Sequence, residues 1–325
     1  MMGCLCRDVL VSPLAWLNKD PVWFKGRSFH VVYFGLFAAI NAFLTCSLIL
    51  YYPYAKGHGF RLSPFVVLGL GLAGNIVGIK LYHAAALGSR FFRNLATSLN
   101  QTTMYNQAGI LGVFCALLVI SDLDSIDLWV LLDGAAYGAV LGLTVGRLGC
   151  YNYGCCFGRP TPSPWAVRYS NPSAKVLRLN PDLKDVPLVP TQLYASAANL
   201  LLFLLFSLMA KTWPYDGLIV LTFTVSDNVF RVLIQRYRAA PSAEEPDYSR
   251  VAWVILGGNL VFLGAYAVVT GRLFPYHPFE HRLSLAGYVW FLTSDWRRIS
   301  ALLIVSSGAF LFYGVHGKVL GRHLG

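Results

Sequence analysis

The chain has 325 residues, 56% of them hydrophobic and only 13% charged, whereas a soluble globular domain carries roughly 25% charged residues. It holds 21 Phe, 18 Tyr and 8 Trp, with a net charge of +11. Such a chain is solvated by lipid. Its Lys and Arg collect at the ends of apolar stretches, which argues against a nucleic-acid face and for anionic lipid head groups, each basic residue adding about 1 kcal/mol of attraction near a negative surface.

Residues 1–28 contain Pro13, Asp20 and Pro21 with only a short apolar stretch between them, which fails the pattern of a cleaved signal peptide. They read as an interfacial arm in which Cys4 and Cys6 are candidates for acylation. A membrane span needs about 20 apolar residues. Eight stretches qualify: 29–52, 63–86, 106–121, 128–151, 191–210, 216–236, 251–271 and 299–317. The expected fold is therefore all-α, a polytopic transmembrane helical bundle of seven to eight spans. Segment 286–293 is too short to cross and reads as an interfacial piece. Glycines repeat at three- and four-residue spacing in the second span (69–78) and the fourth (Gly134, Gly138, Gly142, Gly146, Gly149), where they let helix backbones approach closely in lipid.

Between the fourth and fifth spans, residues 152–190 hold seven prolines together with Trp165, Tyr169, Val176 and Leu177. A long connection of this kind is usually functional, and its apolar residues predict a small folded head on one membrane face. The expected organisation is an arm (1–28), a membrane domain (29–272, with the head at 152–190) and a C-terminal extension (273–325) bearing one extra span. With the N-terminus inside, the inner segments hold sixteen Lys and Arg and the outer segments seven, which favours a cytoplasmic head.

Ionisable groups within spans are costly and usually functional. Here they are Lys80, Asp133, Arg147, Asp227 and Arg231, accompanied by Asn75, His83, Gln107, Asn152, Gln192, Asn228 and Gln235. All but Asn152 fall in spans two to six. Arg147 closes the glycine-rich fourth span and presents a planar, permanently charged fork suited to phosphate; the alternative is a buried pair with Asp133 or Asp227. Asp227 and Arg231 share a helix face at i and i+4. They serve either as a salt bridge that eases insertion or as part of a site in which Arg231 is a second cation for the same phosphate. His83 reads as an interfacial anchor or as one of the few available bases.

Cys150, Cys155 and Cys156 form a C-x4-C-C cluster. Zinc held by cysteine calls for four ligands, and no nearby His or fourth Cys completes the set, so no metal and no cofactor are expected. The cysteines read as small residues lining a turn, with a redox pair, or a thiol nucleophile activated by Arg147, as alternatives.

Four segments then carry a family resemblance. GRLGCYNYGCCFGRP at 146–160 resembles the G-R-x-G-N-F-x-N-x-E-x-x-G signature of the phosphatidylglycerol–prolipoprotein diacylglyceryl transferases. Pro190 to Tyr194 resembles their H-P-[ST]-Q-L-Y-E element, and Val229 to Arg238 is similar to F-R-x-x-x-E-x-x-R. Asn106 to Gly109 stands in the place of F-H-G-G. The resemblance covers roughly 60–270. The family's arginines persist as Arg147, Arg231 and Arg238, along with Gly146, Gly149, Gly158, Gln192 and Tyr194. Its histidine falls on Gln107, its asparagine on Cys150, its signature glutamate on Cys155 and a later glutamate on Gln235.

The resemblance implies a membrane transferase that moves a diacylglyceryl group from an anionic phospholipid, phosphatidylglycerol, to an acceptor such as the cysteine of a lipoprotein precursor, in the bacterial inner membrane. Arg147 and Arg231 would hold the phosphate. Gln107, Asn152 and Gln192 would orient the ester or head group, while Tyr194, Arg238, Gly146 and Gly149 would line the substrate. The missing bases leave Asp227, His83 or a thiolate such as Cys155 to deprotonate the acceptor. The resemblance also implies a head facing away from the cytoplasm, opposite to the charge count. A non-catalytic lipid-binding protein and a membrane thiol oxidoreductase are the rival readings.

Overall fold

A computed structural model describes residues 16–87, 93, 106–213, 215–239, 248–281, 283–317 and 320, so Cys4 and Cys6 lie outside the described residues. Long apolar helices dominate: α1 (Tyr33–Ala55), α2 (Pro64–Leu87), α3 (Asn106–Asp124), α4 (Leu128–Tyr153), α6 (Thr191–Thr212), α7 (Leu218–Gln235), α8 (Tyr248–Thr270) and α10 (Trp296–Gly314). They fall on the eight expected stretches, with α4 running on through Asn152. Six of them (α1, α2, α4, α6, α7 and α8) are long and apolar enough to cross a membrane. Two short α-helices join them among the described residues: α5 (Lys175–Leu179) in the head and α9 (Leu285–Thr293) on the segment too short to span. The chain is an all-α polytopic integral membrane protein.

α4 is the axis of the bundle, and glycine explains how α1 lies against it. A Cβ added at Gly138 would strike the Thr45 carbonyl, one at Gly142 would strike Asn41 and Thr45, and one at Gly149 would strike Phe37. At Gly134 and Gly146 the nearest atoms belong to Tyr52 and Asn41. The second glycine-rich span behaves less uniformly. Gly74 meets the Gly112 backbone of α3, but Gly69 and Gly71 face open space.

The head is folded around its own apolar cluster of Leu17, Tyr151, Phe157, Val167, Tyr169, Val176 and Leu188. The same end carries a small antiparallel sheet absent from the sequence expectations, with strand order β1 (Val22–Lys25), β2 (His30–Val32), β3 (Val315–His316). It ties the N-terminal arm to the end of α10, which packs on α1 where Gly35 and Gly314 touch.

At the opposite end, Lys56 and Asp216 form an ion pair of 2.9 Å with side chains 1% and 0% exposed. Asp216 also meets His277 Nδ1 at 2.6 Å, and Lys56 Nζ donates to the His277 carbonyl at 2.5 Å while lying 4.3 Å from the Phe279 ring centroid. The end of α1, the α6–α7 connection and the chain after α8 are thus clamped by one buried charge cluster. Removing one member of a buried pair strands the other, at a cost of about 3–5 kcal/mol.

Two outcomes follow for thermal unfolding in detergent. Lys56→Met lowers the midpoint by the equivalent of about 3–5 kcal/mol, and adding Asp216→Asn restores most of that loss, because the double variant buries no lone charge. Gly142→Leu, which drives a side chain into Asn41 and Thr45, costs about 1–3 kcal/mol or more, whereas Gly71→Ala, facing open space, is neutral or slightly stabilising.

Candidate active site

The last two turns of α4 carry Arg147 and Cys150 towards the head. The helix stops at Gly154, whose φ of +74° places it in the left-handed region and whose N–H returns to the Cys150 carbonyl at 3.0 Å. This glycine C-cap is a common helix stop. The Cys155 N–H bonds the same carbonyl at 3.2 Å, folding the chain back over the helix end.

The start of α6 then holds the turn. Gln192, 1% exposed, donates from Nε2 to the Cys155 carbonyl at 2.8 Å and to the Tyr169 hydroxyl at 3.3 Å. Thr191 Oγ1 donates to the Cys156 carbonyl at 2.6 Å. Tyr169 in turn donates to the Tyr151 carbonyl at 3.0 Å, and burial pushes its phenol well above the ordinary value, so it stays a neutral donor. The chain after α7 closes the other side. Arg159 N–H bonds the Tyr237 carbonyl at 2.9 Å, Ala239 N–H bonds the Phe157 carbonyl at 3.2 Å, and Gly158 pairs with Arg238 as a β-bridge.

Arg147 is surrounded by Cys150, Cys155, Cys156 and Asp227, each close enough to interact electrostatically with it. Its Nε is buried and has no hydrogen-bond partner among the described residues. Asp227 accepts instead from Arg231 Nε at 2.6 Å, with the two side chains 17% and 23% exposed. The carboxylate therefore interacts with two guanidinium groups, one from α4 and one from α7. Other buried acceptors are also left open, among them Gln192 Oε1 and Asn228 Oδ1. A buried polar atom without a partner costs about 1–3 kcal/mol, and of these the Arg147 Nε is the donor that an anion would satisfy.

Asp133 plays a different part from the Arg147 partner considered above. It is fully buried and caps α7, accepting from Gly217 N at 2.8 Å through Oδ2 and from Val220 N at 2.8 Å through Oδ1. Side-chain acceptors at a helix start satisfy donors that the helix itself cannot. This cap fixes where α7 begins and so where Asp227 and Arg231 stand.

The site residues expected from sequence divide accordingly. Arg147, Asp227, Arg231, Cys155, Gln192 and Arg238 converge on the head end between α4, α6 and α7. Asn152 is directed to the arm, donating from Nδ2 to the Leu17 carbonyl at 2.5 Å and the Asp20 carbonyl at 3.2 Å. Tyr194 points outward from α6 and is 40% exposed. Gly146 and Gly149 back onto α1. His83 is buried on α2. Gln107 lies in the first turn of α3, and its side chain is outside the described residues. Sequence reasoning missed Thr191, Tyr169 and Arg159, which hold the turn through backbone carbonyls. Only the sequence neighbourhood of Thr191, beside Gln192, hinted at a role.

Among the thiols beyond the end of α4, Cys156 is held well below its ordinary value, chiefly by hydrogen bonds from Cys150 and Cys155 and further by Arg147 and Arg238. Two arginines and a group of thiols thus stand together at this end of the bundle.

A family model described as prolipoprotein diacylglyceryl transferase matches residues 21–270. A phosphatidylglycerol–prolipoprotein diacylglyceryl transferase of Dehalococcoides mccartyi (strain ATCC BAA-2266 / KCTC 15142 / 195) is 27% identical over 219 residues, spanning 67% of this chain and 82% of the relative. One of that name from Clostridium tetani is 25% identical over 68% of this chain and 86% of the relative, and one from Phenylobacterium zucineum is 31% identical over a shorter stretch, 40% and 46%. The match takes in α1, α4, α6 and α7, which carry the paired arginines, and the chain belongs to the prolipoprotein diacylglyceryl transferase family.

Proposed function

We propose that this protein transfers a diacylglyceryl group from phosphatidylglycerol to the cysteine thiol of a lipoprotein precursor, in the bacterial inner membrane. The observation that carries the reading is the pair Arg147 and Arg231, presented from two helices on either side of Asp227, with Arg147 Nε buried and unpartnered. A phosphodiester fits there as an anion that takes charge-assisted hydrogen bonds from both forks.

The chemistry follows from where charge develops. The acceptor thiol gives up its proton to water, its sulfur attacks the glycerol carbon that bears the phosphate, the carbon–oxygen bond breaks, and the electron pair leaves with glycerol phosphate. Arg147 and Arg231 stabilise that leaving group more strongly than the donor itself, because its negative charge increases as the bond breaks. Asp227 holds Arg231 in place through the 2.6 Å contact. Gln192 and Thr191 fix the turn against which the head group lies. Arg238 and Arg159 add positive charge at the mouth, where an anionic lipid enters.

The test uses purified protein with phosphatidylglycerol labelled in head group and acyl chains, plus a peptide bearing a lipobox cysteine. Acyl label passes to the peptide as glycerol phosphate appears. Arg147→Ala reduces both by about 100- to 1,000-fold, the effect of deleting a donor to a developing anion, and Arg147→Lys recovers only part, since a lysine lacks the fork. Tyr194→Phe and Asn152→Ala leave turnover within a few-fold, because neither side chain faces the arginines. Lipid binding without release of glycerol phosphate would instead mark a non-catalytic lipid binder.

A further inference from the structure

The Sγ atoms of Cys150, Cys155 and Cys156 all lie within 4.8 Å of one another. The backbone brings them together in an unusual way. Gly154, at φ +74°, reverses the chain after α4, and Cys156 itself sits at φ +57°. A residue with a side chain holds that region at a cost, and small residues merely lining a turn would place Gly or Asn there. The turn is then pinned by Gln192 and Thr191 through the carbonyls of Cys155 and Cys156. Two cations, Arg147 and Arg238, interact with the sulfur group from either side.

We propose that Cys150, Cys155 and Cys156 bind one zinc ion through three sulfurs, and that the open fourth position takes the acceptor thiol. The proposal rests on the transferase reading for its acceptor. Zinc–sulfur bonds are about 2.3 Å, so three sulfurs around one tetrahedral ion stand roughly 3.8 Å apart. Small side-chain shifts take the present cluster to that spacing. Sulfur ligands select soft or borderline ions over calcium and magnesium. Three thiolates and one zinc carry a net charge of −1, which the adjacent arginines offset. Gln192 and Thr191 act as the outer partners that keep ligands in position.

Three protein ligands and one vacancy are what a catalytic zinc needs, whereas four close a structural site. A thiol that coordinates the ion loses its proton outright. The acceptor R–SH binds as R–S⁻ and releases its proton to water. The zinc-bound sulfur attacks the glycerol carbon, forming the carbon–sulfur bond as the carbon–oxygen bond to phosphate breaks. Glycerol phosphate departs with the electron pair, held by Arg147 and Arg231. The thioether product is a weaker ligand and leaves the ion. No electron is gained or lost. This arrangement removes the need for the glutamate and histidine that the family signature carries where this chain has Cys155 and Gln107.

The experiment measures metal content of the purified full-length protein alongside turnover. Elemental analysis is expected to find about one zinc per chain, falling at least tenfold in the Cys150→Ser/Cys155→Ser/Cys156→Ser variant, with the size-exclusion profile unchanged. Zinc-edge absorption spectroscopy should show three sulfur neighbours, rising to four when the lipobox peptide is added. A zinc chelator should reduce transfer at least 100-fold, with recovery on adding zinc alone. Protein that transfers label at full rate with no zinc, or whose cysteines are found as a disulfide or holding copper, overturns the proposal while leaving the transferase reading intact. Zinc bound by three sulfurs without any peptide thiol joining it overturns the acceptor role. Stoichiometric zinc that gains the peptide sulfur, in protein that never cleaves phosphatidylglycerol, supports the site and refutes the transferase reading.

Discussion

The close approach of α1 to α4 is the constraint on which the rest of the structure depends. In lipid no hydrophobic force drives helices together, so contact area and small residues decide which faces meet. Five glycines along α4 let α1 lie in its groove from Gly134 to Gly149. With α1 seated there, its first turns meet the head and its last turns deliver Lys56 to Asp216 at the opposite end. The other faces of α4 are left for α6 and α7. From α6 come Thr191 and Gln192; from α7 come Asp227 and Arg231. The glycines retained from the family signature, Gly146 and Gly149, act through this seam rather than through the lipid.

Polar groups at the two ends of the bundle are treated in opposite ways. At the Lys56 end the charges are answered: lysine and aspartate pair with almost no exposure, and the partly exposed His277 closes on both through its ring and its backbone carbonyl. Asp133 and Asp124 are likewise spent on backbone donors, capping α7 and the chain before α2. At the head end the accounts stay open. Arg147 Nε, Gln192 Oε1 and Asn228 Oδ1 are buried without partners. Unpartnered buried atoms also stand away from the head, at His58 Nε2 and Asp124 Oδ2, so the contrast lies in the cations: Lys56 is paired where Arg147 Nε is left open.

Much of the fold was legible because a 20-residue apolar stretch has few alternatives: the backbone must satisfy itself as a helix when no water is present. The pair Asp227–Arg231 was legible for the same local reason, being one turn apart. What escaped was non-local. The three short strands carry no periodic signal, and β2 pairs with residues nearly the whole chain away. Lys56, Asp216 and His277 each lie just outside a span, where charges are ordinary, and only the folded chain brings them together. Asp133 was recognised as costly but not as a cap, since its partners, Gly217 and Val220, are more than eighty residues on. Asn152 fitted a motif yet serves the arm, because the turn of α4 aims it away from Arg147.

The cysteines show most clearly why spacing alone was insufficient. Counted along the chain, three thiols fall one short of a closed zinc site, and that shortage weighed against a metal. In space the count means something else. Three sulfurs gathered beside two arginines fit a reaction whose acceptor is itself a thiol. Arg147 attracts the donor's phosphate and balances the thiolates' charge at once, so the lipid and thiol halves of the chemistry share this cation. That sharing places the attacking sulfur next to the carbon it must reach. It also sets a constraint on the site, because any change that neutralises Arg147 weakens the hold on phosphate and the charge balance of the sulfur cluster together.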